Sequence, residues 1–361
     1  MKTRNIRLDV IRCLAVMSVL LCHSVESVLR LDLSGITSLP PRIGFWKLTL
    51  FTIGRLGVPL FLFLTGYLML PKNYDGPAVG RFYKTRLLPM LLCWECWIVI
   101  YRLVNAALNR IPWSFPDLVA QMFFLKPIDM MHGWYMPMIL GMYFFLPYIS
   151  CGVQKLPGWL LITMAALGFL NWMIIPFINL TAQLSGSNFW ISWLPDLTAG
   201  GGLYGTYLLT GYLLYRYRNS LKSFFSRPVI SVCSVLLAII LIGFTGYFQL
   251  SAFRSLHEFR IWYDWPLLII ISFLLWGPLL FCRFPSGKAL KRVAVSVSKQ
   301  SFGMYLVHMP VVLFFVHFRP FGMNPFVRLV LLFLLLCPIS WVISFLGSKI
   351  PFVGKLLFYR K

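Results

Sequence analysis

The stretch Asp9-Val-Ile-Arg12-Cys-Leu-Ala-Val-Met-Ser-Val-Leu-Leu-Cys-His23-Ser24 holds two ionisable residues inside an apolar run. Eleven helical steps of about 100° carry Arg12 to His23, so the two share one helix face, roughly 16 Å apart along the axis. Placing a cation and an imidazole in hydrocarbon is costly, and such residues face a bundle interior or a wet cavity and mark function. The run follows a basic start, Met1-Lys-Thr-Arg-Asn-Ile-Arg7, as a signal peptide would. It is nevertheless long enough to span, and no small-x-small cleavage site with a soluble region follows. It reads as a retained first transmembrane helix.

The rest of the chain repeats this pattern. Of 361 residues, 59% are hydrophobic and 12% charged, about half the charge of a soluble domain. Apolar runs near 8–29, 48–70, 87–108, 134–151, 158–178, 197–215, 228–248, 264–282, 300–318 and 326–347 predict an all-α polytopic bundle of about ten helices. The whole of residues 1–361 forms one integral membrane domain in this reading. The formal net charge of +23 does not point to nucleic acid, because the basic residues lie in short loops and no basic helix carries interleaved aromatics. Lys and Arg number 21 in the N-terminus, the even-numbered loops and the C-terminal tail, against about ten on the other side. That bias predicts both termini in the cytoplasm, Arg12 near the cytoplasmic face and His23 deeper, toward the outer one. Loops 30–47, 109–133, 179–196 and 249–263, rich in Pro, Trp, Ser, Asp and Asn, predict a shallow outer cap. The eight cysteines fall in or beside apolar runs and read as small buried hydrophobes. Cys93-Trp-Glu-Cys96 lies mid-helix without a second pair, so no metal site is expected.

Several polar residues interrupt the apolar runs. In a polar crevice, a neutral His23 can take a proton from a hydroxyl; the structural alternative is a packing imidazole bonded to a neighbouring helix. Asp9 stands three residues before Arg12 and can pair with it, either as an interfacial anchor or as part of an anion site, since a guanidinium suits phosphate oxygens. Glu95 and Arg102 share a face of the third run. They neutralise each other or other charges, or Glu95 orients a catalytic His or meets a substrate hydroxyl. Ser301, Tyr305 and His308 form a stripe at i, i+4, i+7 that lines a wet space or bonds another helix. His132 precedes Trp134-Tyr135 at an outer boundary, where aromatics concentrate. Arg81-Phe-Tyr-Lys84-Thr-Arg86 is a basic lead into the third run and suits either topology or phosphate contact. Gly200-Gly201-Gly202 permits close helix packing. Leu64-Thr-Gly-Tyr-Leu68 echoes Leu209-Thr-Gly-Tyr-Leu213, a weak sign of a repeat. No Walker loop, nucleophile elbow, zinc-protease motif or dinucleotide fingerprint is present.

These residues, taken in order, resemble the acyltransferase-3 family of integral membrane acyltransferases. Asp9-x-x-Arg12 with His23 eleven residues on is similar to the family's first-helix signature. Gly57-Val-Pro-Leu-Phe61-Leu-Phe-Leu-Thr-Gly66-Tyr67-Leu68 resembles its second-helix motif, and Phe82-Tyr-Lys84-Thr-Arg86 its basic segment. His132-Gly-Trp134-Tyr135 with Pro147, and Ser301-Phe-Gly-Met-Tyr305-Leu-Val-His308, resemble two later motifs, with Gly133 standing where the family usually has Leu. The resemblance implies the compact form, without a fused outer domain. It implies transfer of an acyl group, most often acetyl from acetyl-CoA as co-substrate with no tightly bound cofactor, to hydroxyls of cell-surface or lipid-linked glycans. In that scheme His23 is base or acyl carrier, Arg12 and Glu95 assist, Lys84, Arg86 and Asp9 serve the donor, and Tyr305, His308, Ser301 and Trp134 line the substrate path. Expected partners are an acyl-CoA, a glycan or lipid-linked saccharide and the lipid bilayer. The competing reading is a transporter or flippase for a lipid-linked sugar or small anion, with His23 and Glu95 relaying protons, which would call for matched repeats of broken helices.

Overall fold

A computed structural model describes residues 4–109, 112–130, 132–192, 195–282, 287–318 and 322–360. Local sequence sets the helix limits. The chain runs through α1 (Ile6–Val28), α2 (Leu33–Thr37), α3 (Pro41–Arg55), α4 (Gly57–Met69), α5 (Gly76–Phe82), α6 (Leu88–Asn109), α7 (Phe115–Met122), α8 (Tyr135–Lys155), α9 (Gly158–Phe169) and α10 (Ile175–Leu184). It continues through α11 (Gly202–Arg216), α12 (Arg218–Phe225), α13 (Pro228–Arg254), α14 (Pro266–Phe281), α15 (Lys288–His317), α16 (Pro325–Gly347) and α17 (Pro351–Leu357). Five helices start on a proline, where the missing N–H costs nothing. Asn5 caps α1 by accepting from the Arg7 amide at 3.1 Å. No strand occurs among the described residues.

All ten apolar runs are helical. Eight helical stretches are long and apolar enough to cross a membrane among the described residues, and the chain is an integral multi-pass membrane protein. The sixth and eighth runs form shorter helices, α11 and α14, of 15 and 16 residues. At 1.5 Å per residue, α14 covers only about 24 Å of a core ~30 Å thick. The third run begins earlier than its hydropathy suggests: Gly76–Asn109 is helical throughout, with a π-helical turn at Tyr83–Leu87. Pro89 cannot donate to the Thr85 carbonyl and its ring crowds it, so the turn ahead widens. Arg81, Lys84 and Arg86 therefore ride on a helix, not a loop.

The chain divides into two compact units, Met1–Lys72 with Gly152–Ser298, and Asn73–Cys151 with Lys299–Lys361. In the first, glycines let helices touch backbone to backbone. A Cβ at Gly54 would lie 2.6 Å from the Cys22 Cα, and one at Gly57 would lie 2.6 Å from the Ala15 carbonyl oxygen, so α3 and α4 press directly on α1. A Cβ at Gly66 would meet the Leu208 carbonyl oxygen at 2.0 Å, and one at Gly211 would meet that of Phe63 at 2.4 Å. The echoed Leu-Thr-Gly-Tyr-Leu segments are thus the two sides of one α4–α11 seam. Gly201 and Gly202 do not pack mid-helix as expected. With φ of 88° and 60°, they make the left-handed turn that leads into α11. Segment 255–265 folds back on the core: Gln249 accepts from the Ile261 amide at 3.1 Å and donates to Thr52, and Trp265 donates to Thr245.

In the second unit α6 holds the C-terminal segment, with the Trp97 indole donating to the Leu357 carbonyl at 2.7 Å. The C-terminal half of α15 lies against α16, where Ser344 donates to the Gln300 side-chain oxygen at 2.9 Å.

Candidate functional site

The first unit carries two polar clusters on α1. At its start, Asp9 is buried and grips Arg4 through two bonds of 2.6 and 2.7 Å. Ser298 donates to Asp9 at 2.6 Å and accepts from Arg12 at 3.1 Å, and Arg12 lies 3.8 Å from the Asp9 carboxylate. Asp9 is an internal counter-charge that positions Arg12, whose side chain remains 30% exposed. The cluster fits an anion held by Arg12 and not one meeting Asp9.

Three turns along, His23 is buried, with Nδ1 2.9 Å from the Glu26 Oε2. Their spacing at i, i+3 bends this contact away from a linear hydrogen bond, a looseness common in sites without substrate. The other Glu26 oxygen accepts from Arg55 at 3.0 Å. Arg55 is buried by cation–π contacts with the rings of Phe51 at 4.6 Å, Trp262 at 4.5 Å and Tyr263 at 5.5 Å, and it donates to the Tyr263 hydroxyl at 3.4 Å. Burial pushes the Tyr263 phenol upward, against the pull of the Arg55 charge, so it is neutral here. Gly54 creates this arrangement: without its close approach to Cys22, neighbouring Arg55 could not reach Glu26.

Arg55 only donates and a carboxylate only accepts, so this arrangement favours a ring proton on His23 Nδ1, facing Glu26. Glu26 and Arg55 do not stand out by motif spacing. Their signals are a carboxylate one turn past an intramembrane His, and a lone Arg inside the apolar run 48–70. Cys22, His23 and Glu26 also bring three ligand-type atoms within 4.8 Å of one another. With Arg55 already on Glu26, a second cation is disfavoured, and we assign no metal.

The remaining expected residues fall in the second unit. Glu95 is half-buried; its Oε2 has no hydrogen-bond partner, and it forms no ion pair among the described residues. It does not neutralise Arg102, which is buried against Asp129 and Asp117, the latter at 3.6 Å. The carboxylate on His23 is Glu26, not Glu95. Lys84 is exposed, and Arg86, half-buried, has its charge close to the Tyr359 phenol. His132, Tyr305 and His308 are all buried and cluster with Tyr101. Tyr101 donates to the Leu306 carbonyl at 2.8 Å and faces His132 Nε2 at 3.0 Å; Tyr305 donates to the His132 carbonyl at 3.0 Å. The His132 and His308 rings lie 4.9 Å apart. His132 is therefore a core residue and not an interfacial one. Gly133 leaves room for the Ile128 side chain, which a Cβ would meet at 2.1 Å. Ser301 is buried on the same helix, and Trp134 is half-buried.

Comparison with known proteins agrees with the motifs. No curated protein and no solved structure gives a significant match. A family model described as an acyltransferase domain matches residues 5–345, nearly the whole chain. The chain belongs to the acyltransferase-3 family and is a membrane-embedded acyltransferase.

Proposed function

We propose that the protein transfers an acyl group, acetyl from acetyl-CoA, to a hydroxyl of a cell-surface or lipid-linked glycan, with His23 as general base. The supporting observation is that Nδ1 of the buried His23 faces the Glu26 carboxylate, itself held by Arg55, an arrangement that suits an imidazole taking up a proton. The acceptor hydroxyl gives its proton to Nε2 as its oxygen bonds the thioester carbonyl carbon. The C–S bond then breaks, and the CoA thiolate takes the proton from His23 and leaves as a thiol. The imidazolium formed in between is stabilised by the Glu26 carboxylate. A base role is favoured over a transient acyl carrier because it needs only this proton shuttle. Arg12 supplies a guanidinium for donor phosphates arriving from the cytoplasmic side, the orientation favoured by the loop charges.

For the transporter reading, the pentapeptide echo gives a packing seam between α4 and α11 and no matched pair of broken helices. The test is His23→Ala in a deletion strain, read by mass spectrometry of surface glycans, and thiol release by purified protein given acetyl-CoA and a glycan. Loss of both is expected. Unchanged acylation overturns the base assignment, and absence of thiol release by the wild type overturns the reaction.

A further inference from the structure

The corner between α11 and α13 is not used by this chemistry. α12 joins these two apolar helices at neighbouring ends, so it lies where both leave the bilayer. Its sequence, Arg218-Asn-Ser-Leu-Lys-Ser-Phe-Phe225, is amphipathic. Leu221, Phe224 and Phe225 gather on one side, and Arg218 and Lys222, four apart, share another. The helix is docked on the first unit. Phe225 is buried against α14, where a Cβ at Gly277 would lie 2.4 Å from its ring, and its carbonyl accepts from Ser231 at 2.7 Å. Phe224 beside it stays 52% exposed, and the exposed apolar surface continues along α13 through Val229, Val232 and Leu236, a lipid-facing stripe.

The bases at this corner are held in place. Arg216 donates to the Leu156 carbonyl at 2.8 Å, which ties the turn between α8 and α9, with exposed Lys155, to the corner. Gly158 leaves room there for the Tyr217 hydroxyl, which a Cβ would meet at 2.2 Å. Arg218 donates to the Tyr215 carbonyl at 3.0 Å, and its guanidinium lies 4.3 Å from the centroid of the Tyr215 ring. Each arginine gives one N–H to a neutral carbonyl, so its charge and its other donors remain for an anion. Lys222 is exposed and makes no ion pair among the described residues. No carboxylate nearby in sequence answers these charges: residues 130–195, 197–257 and 265–361 contain no Asp or Glu. Orienting the chain in a membrane takes basic loops, but not guanidinium groups fixed on carbonyls beside an apolar stripe. Fixed guanidinium groups suit phosphate oxygens, and the stripe suits acyl chains. A soluble anion such as coenzyme A would use the first and leave the second bare. We propose that α12 and the adjoining corner seat an acidic phospholipid, its phosphate on Arg216, Arg218 and Lys222 and its chains against Phe224 and the exposed stripe of α13. This lipid is neither donor nor acceptor in the acyl transfer.

The test uses full-length protein in nanodiscs of phosphatidylcholine, with or without phosphatidylglycerol. After transfer to mild detergent, native mass spectrometry counts the lipid that stays bound. Wild type should retain phosphatidylglycerol in preference to phosphatidylcholine. One surface charge contributes about fivefold to anionic-lipid binding, so Lys222→Gln should weaken retention about fivefold, and Arg218→Gln with Lys222→Gln about 25-fold. Phe224→Ser should weaken retention with no change of charge. Thermal melting identifies any variant that fails to fold, and Lys222→Gln, which breaks no bond of the fold, keeps the test independent of Arg218. The matched pair Lys288→Gln with Lys291→Gln removes two exposed bases elsewhere in the same unit and should bind as wild type. Equal retention of the two lipids by the wild type overturns the proposal, as does unchanged retention by Lys222→Gln, or an equal loss in the matched pair, which would reduce the effect to general charge. Displacement by glycerophosphoglycerol, the same headgroup without chains, would assign the corner to a soluble phosphodiester, and displacement by coenzyme A to the donor; either outcome refutes a lipid seat.

Discussion

Glu26→Gln is the most diagnostic single change. Glu26 faces two groups at once, Arg55 at 3.0 Å through Oε1 and His23 Nδ1 at 2.9 Å through Oε2. A glutamine keeps the shape but has one acceptor and one donor end. Arg55 can only donate, so the amide oxygen must face Arg55 and the amide NH2 must face His23. Nδ1 then becomes the acceptor, the ring proton moves to Nε2, and the base lone pair is lost from the reacting side. General-base assistance contributes about 10²–10⁴-fold, so kcat should fall by that range while the KM for acetyl-CoA stays nearly constant. The same change leaves Arg55 without a balancing charge, and breaking a buried pair costs about 3–5 kcal/mol. Thermal inactivation must therefore be measured beside turnover. The assay is CoA thiol release at saturating acetyl-CoA and glycan, on protein confirmed as folded. A folded Glu26→Gln enzyme within threefold of wild-type kcat would refute the tautomer argument.

Arg12→Ala should raise the KM for acetyl-CoA about tenfold with a smaller change in kcat, because one charge-assisted contact to phosphate is lost; steady-state kinetics decide it, and an unaltered KM assigns Arg12 a structural role. Lys84→Ala and Arg86→Ala should each raise the same KM, and an unchanged value for both removes them from donor binding. Gly211→Leu drives a side chain toward the Phe63 carbonyl and should destabilise the fold by about 1–3 kcal/mol, seen as a lower melting temperature, whereas Gly243→Leu, with open space around it, should melt as wild type. Hydrogen bonds from Arg30 and Ser34 hold the Asp32 carboxyl at about 2. Its contribution is therefore full above the unfolded value of about 4 and disappears only as pH falls toward 2, so carbodiimide labelling of Asp32 should stay low at pH 4 and rise in Arg30→Ala.

Hydropathy made the helices legible because lipid forces each span to satisfy its own backbone. Their limits were less so: α11 and α14 are short, and α15 starts at Lys288 because polar residues at its start are still good helix formers. Arg12 and His23 could be read since their cost in an apolar run needs no partner to be noticed. Their partners could not. Which carboxylate meets His23 depends on rotamer and local contact, and Glu95 on a different helix fitted the sequence as well as Glu26. Arg55 reaches the site only through the close approach at Gly54, a tertiary fact. Arg102 likewise found Asp117 on α7 and Asp129 in the loop after it, not Glu95 on its own helix.

The contrast between the two buried histidine sites bears on which one is the base. His308 also has Nδ1 committed, to the Tyr305 carbonyl, and a carbonyl accepts only, so its proton too is on Nδ1. Tautomer alone therefore does not separate His308 from His23. Charge does. When a base takes a proton the ring becomes an imidazolium, and the neighbouring acceptor must stabilise a full positive charge. At His23 that acceptor is an ionised carboxylate; at His308 it is a neutral peptide oxygen, and the nearest ring is another imidazole, His132, at 4.9 Å. Protonating His308 beside His132 gains no counter-charge, and the surrounding hydroxyls of Tyr101 and Tyr305 are already donating to carbonyls. On the proposed mechanism, the His132–His308 cluster holds helices in register and His23 accepts the proton. His308→Gln should accordingly lower thermal stability more than kcat, while His23→Gln should do the reverse, and a folded His308→Gln protein with kcat reduced as far as His23→Gln would overturn this division.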